Sequence, residues 1–256
     1  MDTWNPAQYD LFKQERSQPG RDLIALVEPC PGGRVLDLGC GTGELTRQLH
    51  AHSRAAETLG LDRSARMLHA AQQQTAAGLR FELGDILALP DEPQWDVIFS
   101  NAALQWLPDH PTLFARLAER LNPGGQLAVQ VPTMEQHGVH RVAKEVARLP
   151  RFAATLDGFI HRLDLPSADA YAELFWRLGF DRPNVRLQIY PHVLPGPEDA
   201  VEWIKGTLLT AYENRLDRAT FAEFLDEYRR RLLAELPAER PCFFPYQRIL
   251  MWGRRS

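Results

Sequence analysis

The sequence predicts an α/β, Rossmann-like fold with a mostly parallel sheet and a helical cap. Three observations carry this expectation. From Arg34 to Pro132, short apolar runs alternate with amphipathic segments, the pattern of repeated strand-helix units. The first of these runs leads directly into Gly39-Cys40-Gly41-Thr42-Gly43, a glycine-rich turn between a strand and a helix. The second run is followed at once by Asp62 and the third by Gly84-Asp85, where strands of such a sheet present ligand-binding groups.

The elements follow in order. Arg34–Leu38 reads as a buried first strand, and Glu44–His50, with Leu45 and Leu49 four apart, as the helix after the turn. Thr58–Leu61 is a second strand ending at Asp62, and Ser64 is placed to cap the helix that carries Met67 and Leu68. Leu79–Leu83 is a third strand, followed by Gly84-Asp85-Ile86. Trp95–Ser100 contains Val97-Ile98-Phe99, a run suited to a central strand covered on both faces. A helix over Thr112–Leu121 sets Leu113, Leu117 and Leu121 on one face and breaks at Asn122-Pro123-Gly124-Gly125. Leu127, Val129 and Val131 mark a fifth strand.

Further on, Tyr171, Leu174, Phe175 and Leu178 fall at helical spacing, and Val185, Leu187 and Ile189 alternate with polar neighbours as in a strand. Val201, Ile204 and Leu208 mark another helix, Phe221, Phe224, Leu225, Tyr228 and Leu232 a longer one, and Cys242–Trp252 a final strand. No internal repeat or low-complexity linker interrupts the chain. One domain over residues 1–256 is therefore expected, with a core sheet from 30–135, 168–195 and 241–253. The segments 1–28, 137–165 and 197–237 are expected to form a helical cap over the sheet's carboxyl edge.

Composition narrows the function. With 256 residues, 45% hydrophobic and 24% charged, the chain can bury an ordinary core without a disulfide or structural metal, and disorder and collagen-like repeats are excluded. A formal charge of −4 offers no general attraction to nucleic acid or anionic lipid, and no obligate protein partner is indicated. Only three lysines occur (Lys13, Lys144, Lys205), so most basic residues are arginine and a single arginine is weak support for carboxylate recognition. Cys30, Cys40 and Cys242 form no CxxC pair, and Met1–Pro6 has no leader-like pattern, so a cytoplasmic protein is expected. His137 and His140 share a helix face without a third ligand, so no metal is expected. Cys40 reads as a small filler, His192 as structural or solvated, with reach to an acceptor as the alternative, and Arg229-Arg230-Arg231 as the wet face of a helix.

The chemistry concentrates at the strand ends. The turn is GxGxG (Gly39, Gly41, Gly43), with Glu44 and Leu45 where a dinucleotide fingerprint wants its third glycine. Asp37, two residues before Gly39, would repel a pyrophosphate and attract an ammonium or sulfonium group. Asp62 is placed to accept hydrogen bonds from both hydroxyls of a ribose. Asp85, with Ile86 after it, is placed to meet the exocyclic amine of an adenine, and Asn101 after the fourth strand offers a side-chain or backbone contact. An adenosine with an unphosphorylated ribose and a cationic amino-acid tail is S-adenosylmethionine.

Val35–Gly43, Asp62, Gly84-Asp85, Asp96–Asn101 and Asn122–Gly125 together resemble the class I methyltransferase signature in order and spacing. That resemblance implies a seven-stranded sheet with an antiparallel last strand. A narrower resemblance runs almost end to end. Trp4-Asn5-Pro6 with Tyr9, Phe12 and Glu15-Arg16, the stretch Asn101–His110, and Ala128–Pro132 are similar to the trans-aconitate 2-methyltransferases. So are Glu202–Thr207 and Phe244–Arg248 near the carboxyl terminus.

The implied reaction is methyl esterification of trans-aconitate or a similar small polycarboxylic acid, with Arg16 and Arg248 as substrate-binding residues and Trp106 as part of the closure around the reactants. A carboxyl group of pKa about 4 is ionised at neutral pH, so the reaction needs no general base and no catalytic acid-base residue is assigned. The sequence departs from the family pattern at Gln18, where a second arginine is usual, and at Thr133-Met134, where Asp-Asn is usual. The loss of a guanidinium bears on the acceptor rather than the cofactor. Esterification of a carrier-bound or other small acid, and a cofactor-binding regulator without turnover, are the other readings open from the sequence.

Overall fold

The structure is a computed structural model and describes residues 13–89, 92, 94–133 and 137–256. Its strands are β1 (Arg34–Leu38), β2 (Glu57–Asp62), β3 (Leu79–Leu83), β4 (Trp95–Asn101), β5 (Leu121–Pro132), β6 (Phe180–Leu194) and β7 (Cys242–Arg255). The described helices, in chain order, are α1 (Lys13–Ile24), α2 (Glu44–Ser53), α3 (Ala65–Ala71), α4 (His110–Glu119), α5 (Gly138–Ala147), α6 (Pro150–Ala153), α7 (Ala168–Arg177), α8 (Pro197–Lys205), α9 (Thr210–Glu213) and α10 (Arg218–Glu235).

The seven strands form one sheet in the order β3-β2-β1-β4-β5-β7-β6. Pairs from β3 through β5 are parallel, and β7 runs antiparallel to β5, as the class I resemblance implies. The chain winds outward in both directions from β1 and β4, so the loops leaving their carboxyl ends diverge and leave a crevice. Val35, Leu36, Leu38, Val97, Ile98 and Phe99 are fully buried, which accounts for the continuous apolar runs of β1 and β4. The Ser64 hydroxyl accepts from the Met67 N–H at 3.2 Å and starts α3 where a cap was expected.

One expectation is corrected. Leu121 is not the last residue of a helix: α4 stops at Glu119, and Leu121 opens β5 opposite Trp95. The Trp95 N–H donates to the Arg120 carbonyl at 2.9 Å, so strand pairing overrides a helical period that the leucines alone would continue. In β6 the alternating residues Leu187 and Ile189 are 52% and 49% exposed, while Tyr190, His192 and Leu194 are buried. β6 is an edge strand, and alternation identifies which residues share a face without saying which face is covered. Burial also settles His192, which packs against Trp203 with ring centroids 4.8 Å apart.

The chain divides into two compact units. The sheet unit comprises Gln14–Thr133, Asp164–Gln188 and Arg248–Ser256. Its core joins Leu36, Ile98, Leu127 and Val129 of the sheet to Leu113, Phe114 and Leu117 of α4 and Tyr171 and Phe175 of α7. The helical unit comprises Met1–Lys13, Met134–Leu163 and Ile189–Gln247. There Val142 and Val146 of α5, Trp203 of α8, and Phe224 and Tyr228 of α10 bury one another.

Candidate cofactor and acceptor site

The turn after β1 is built around its glycines. Gly39 has φ 78°, and a Cβ there would lie 2.2 Å from the Ala103 Cβ in the loop after β4, so the two diverging loops meet only because the side chain is absent. Gly41 has φ 57° and opens onto empty space, the flank a ligand can approach. Four N–H groups of the turn are already engaged within the protein. Those of Gly39 and Cys40 donate to the Leu61 carbonyl, that of Gly41 to Asp62 and that of Gly43 to the Cys40 carbonyl. The geometry directs these four inward, which removes much of the means of holding an anion. Glu44 in the first turn of α2 opposes an anion further.

Carboxylates dominate instead. Asp37 is buried in β1 and accepts a 2.6 Å hydrogen bond from the Thr46 hydroxyl of α2. Burial pushes its carboxyl up to about 7, the Thr46 bond works against that rise, and the Asp62 carboxylate adds to it. Asp62 ends β2 and binds the turn: Oδ2 accepts from the Gly41 N–H at 2.9 Å and Oδ1 from the Ser64 N–H at 2.8 Å. Each oxygen keeps a second lone pair for a hydroxyl donor. Asp85 is exposed and caps a short 3-10 turn through the Leu87 N–H at 2.9 Å, while Ile86 packs against the sheet core. Leu83 and Leu87, which sequence reasoning did not single out, leave apolar surface beside it at 65% and 41% exposure. Burial raises the Cys40 thiol, consistent with a filler rather than a nucleophile.

Asn101 ends β4, and its Oδ1 is buried without a hydrogen-bond partner. The following 3-10 turn, Leu104–Trp106, presents Gln105 and Trp106. A buried histidine holds that turn: His110 Nε2 donates to the Leu104 carbonyl at 3.0 Å while Nδ1 accepts from the Tyr171 hydroxyl at 2.6 Å. Burial keeps the His110 imidazole below the ordinary histidine range, so it stays neutral in this bridge.

Of the expected acceptor residues, Arg248 is buried in β7 opposite Pro132, and Trp106 is half-buried. Arg16 falls in α1, but its side chain lies outside the described residues, as do Trp4-Asn5-Pro6, Tyr9, Phe12 and Met134. Gln18 is exposed and bonds within its own helix, to Asp22 at 2.7 Å and Arg21 at 2.8 Å. Among the described residues no three His, Cys, Asp or Glu side chains converge as a metal site would require.

Strand register places Asp37, Asn101 and Arg248 on one face of the sheet. Asp37 aligns with Phe99, Asn101 with Gln130, and Arg248 with Pro132 two residues beyond Gln130. Gln130, fully buried, was missed as a site residue because a polar residue between Val129 and Val131 reads as ordinary strand alternation. The donor set fits a cationic nucleoside: Asp37 and Asp62 flank an open glycine, and the inward turn of four N–H groups leaves a pyrophosphate little to bind.

Comparison with known proteins agrees. A methyltransferase-domain family model matches residues 35–125. The trans-aconitate 2-methyltransferase of Deinococcus radiodurans is 48% identical, covering 99% of this chain and 98% of that one. The enzyme of the same name from Methylobacterium nodulans is 39% identical over the whole of both. Among solved structures, the YcgJ protein of Bacillus subtilis superimposes with a TM-score of 0.61 at 16% identity, covering 93% of this chain and 97% of that one. A phosphoethanolamine N-methyltransferase of Haemonchus contortus, solved with S-adenosylhomocysteine, does so with a TM-score of 0.54 at 17% identity, covering 96% of this chain and 53% of that one. These two likenesses establish the class I methyltransferase fold. With near-complete overlap at up to 48% identity, the chain belongs to the trans-aconitate 2-methyltransferase family.

Proposed function

We propose that this protein transfers the methyl group of S-adenosylmethionine to a carboxylate of trans-aconitate or a closely similar small polycarboxylic acid. The observation that carries the cofactor is the buried Asp37, whose carboxyl meets no cation among the described residues, beside Asp62 and the open flank of Gly41. Family membership carries the acceptor. When bound, the cofactor supplies a methyl group that a carboxylate oxygen takes directly, the S–C electron pair staying on sulfur and no proton needing removal.

In this reading Asp37 attracts the ammonium of the amino-acid tail and Asp62 accepts from the ribose hydroxyls. Asp85 and Ile86 meet the adenine, with Leu83 and Leu87 as apolar surface beside it. Gly39, Gly41 and Gly43 keep the turn clear of side chains. Asn101 lies between the cofactor and the acceptor. Arg248, with Arg16, holds a carboxylate of the acid in a bidentate pair, and Trp106 shields the reacting groups. Rate enhancement rests on alignment and on exclusion of water, and alignment alone contributes up to roughly 7 to 11 kcal/mol. The chain is read as one working methyltransferase domain.

No described helix is long and apolar enough to cross a membrane. The free thiols Cys30, Cys40 and Cys242 support a reducing, cytoplasmic setting. The test is transfer of radiolabelled methyl groups to a panel of organic acids. Base-labile, volatile label with trans-aconitate is expected. Label on a carrier-bound acid alone, or cofactor binding without transfer to any acid, overturns the reading.

A further inference from the structure

Gln130 is fully buried in β5, and neither its Nε2 nor its Oε1 has a hydrogen-bond partner among the described residues. Gln126, four residues earlier on the same face of the same strand, shows how this sheet treats a buried amide. Its Oε1 accepts from the Glu28 N–H at 2.8 Å and from Trp252 Nε1 at 3.0 Å, and its Nε2 donates to the Glu28 carbonyl at 2.8 Å. Thr46, Ser53, Thr58 and Ser100 are buried as deeply as Gln130, and each is hydrogen bonded. Buried polar groups are almost always paired, because an unpaired one loses its water without compensation. An amide buried with both ends unmet, on the strand where Gln126 is fully paired, points to a partner outside the described residues.

Its position says what that partner is. Gln130 sits beside Asn101, whose Oδ1 is likewise buried and unpartnered, and its carbonyl accepts from the Ala102 N–H at 3.0 Å. Gln105, in the turn after Ala102, donates its Nε2 to the Ala102 carbonyl at 2.7 Å and leaves Oε1 without a partner. Along the common face the order is Asp37, Asn101, Gln130, Arg248. Gln130 thus falls between the residues proposed for the cofactor and the arginine proposed for the acid.

A carboxylate that must attack a methyl group is poorly served by a cation, which draws charge from its oxygens. A neutral amide N–H fixes its direction while leaving the second oxygen as nucleophile, and the arginine suits a carboxylate that does not react. We infer that Gln130 is a substrate-binding residue that donates a hydrogen bond from Nε2 to the carboxylate receiving the methyl group. This inference rests on the functional reading above and adds a residue to it.

The test compares wild type with Gln130→Leu and Gln130→Glu in three readouts: acceptor kcat/KM, calorimetric binding of S-adenosylhomocysteine, and the Tm of the protein alone. Gln130→Leu is expected to lower acceptor kcat/KM at least tenfold, leave cofactor binding within twofold, and hold or raise the Tm. Gln130→Glu, which repels an anion, is expected to lose more. Acceptor kcat/KM within threefold of wild type in the leucine variant overturns the inference. So does an equal loss of cofactor and acceptor binding, or a marked fall in Tm, since either shows a structural amide. A wild type that methylates none of the acids sinks the functional reading instead. Gln130 is then judged by trans-aconitate binding to the S-adenosylhomocysteine complex, where failure to bind the wild type, or equal binding to wild type and Gln130→Leu, overturns it.

Discussion

Asp37 offers the sharpest test of the site. Burial lifts its carboxyl from 3.8 to about 7, so the folded protein without cofactor holds this proton more tightly than the unfolded chain does. The sign follows directly: stability from Asp37 is fully present below pH 3.8 and is lost progressively as pH rises to 7. At pH 8 the deficit is on the order of 4 kcal/mol and at pH 5 less than half of that, taking about 1.36 kcal/mol per pH unit. Asp37→Asn keeps an acceptor for the Thr46 hydroxyl and removes the charge. For a chain of this size a kcal/mol moves Tm by about 2–4 °C, so the variant should melt on the order of 10 °C above wild type at pH 8, and by well under half that margin at pH 5. Cofactor binding should respond in the opposite sense. Because the cation binds the ionised form, wild-type affinity for S-adenosylmethionine falls about tenfold per pH unit below 7, while that of the variant is weaker and flat. Calorimetry between pH 5.5 and 8 reads both. A flat wild-type profile, or the same slope in the variant, would refute the assignment of Asp37 as the counter-charge.

The other predictions concern neighbouring parts of the site. Asp62→Ala removes charged hydrogen bonds worth about 1.5 to 3 kcal/mol and is expected to weaken cofactor binding roughly tenfold to a hundredfold by calorimetry; unchanged affinity rejects the ribose role. Gly39→Ala places a Cβ on Ala103 and should lower the Tm, whereas Gly41→Ala, with space around it, should lower it less yet weaken cofactor binding. Arg248→Lys keeps the charge and loses the planar fork, so steady-state kinetics should show acceptor KM rising about tenfold or more with cofactor affinity unchanged; equal effects on both count against it. Tyr171→Phe frees the imidazole that holds the Leu104–Trp106 turn, and kcat should fall while cofactor affinity stays.

Much of the sheet was legible because parallel strands announce themselves as apolar runs ended by glycine or aspartate, and β1 through β4 agree with expectation to within a residue or two. The placement of the acidic residues was legible for a related reason: Asp37 and Asp62 lie at the carboxyl ends of β1 and β2 beside the glycine turn, where the sequence puts them. What escaped depended on pairing. Leu121 continues a helical period and is claimed by Trp95, and Leu187 and Ile189 alternate correctly but sit on an exposed face. Gln130 carries no local signal at all. Its meaning appears only when register sets it beside Asn101 and the satisfied Gln126 shows what the alternative looks like.

Asp37 and Gln130 share a physical logic. Each is buried on the same face of the sheet, and each leaves the empty protein less stable than a substitute of similar shape would: an ionised carboxylate without its cation, and an amide without partners. Folding alone favours asparagine at the first and leucine at the second, since replacing a buried unmet polar group is neutral or stabilising. A site that binds a cation and an anion side by side needs opposite chemistries, and the chain supplies an anion at β1, a neutral amide at β5 and a guanidinium at β7. On the proposed reading both ligands are needed to remove the instability of Asp37 and Gln130, so cofactor and acid together should raise the Tm of the wild type by more than they raise that of Asp37→Asn or Gln130→Leu. Equal ligand-induced shifts in all three proteins would break the link between these two residues and the reaction.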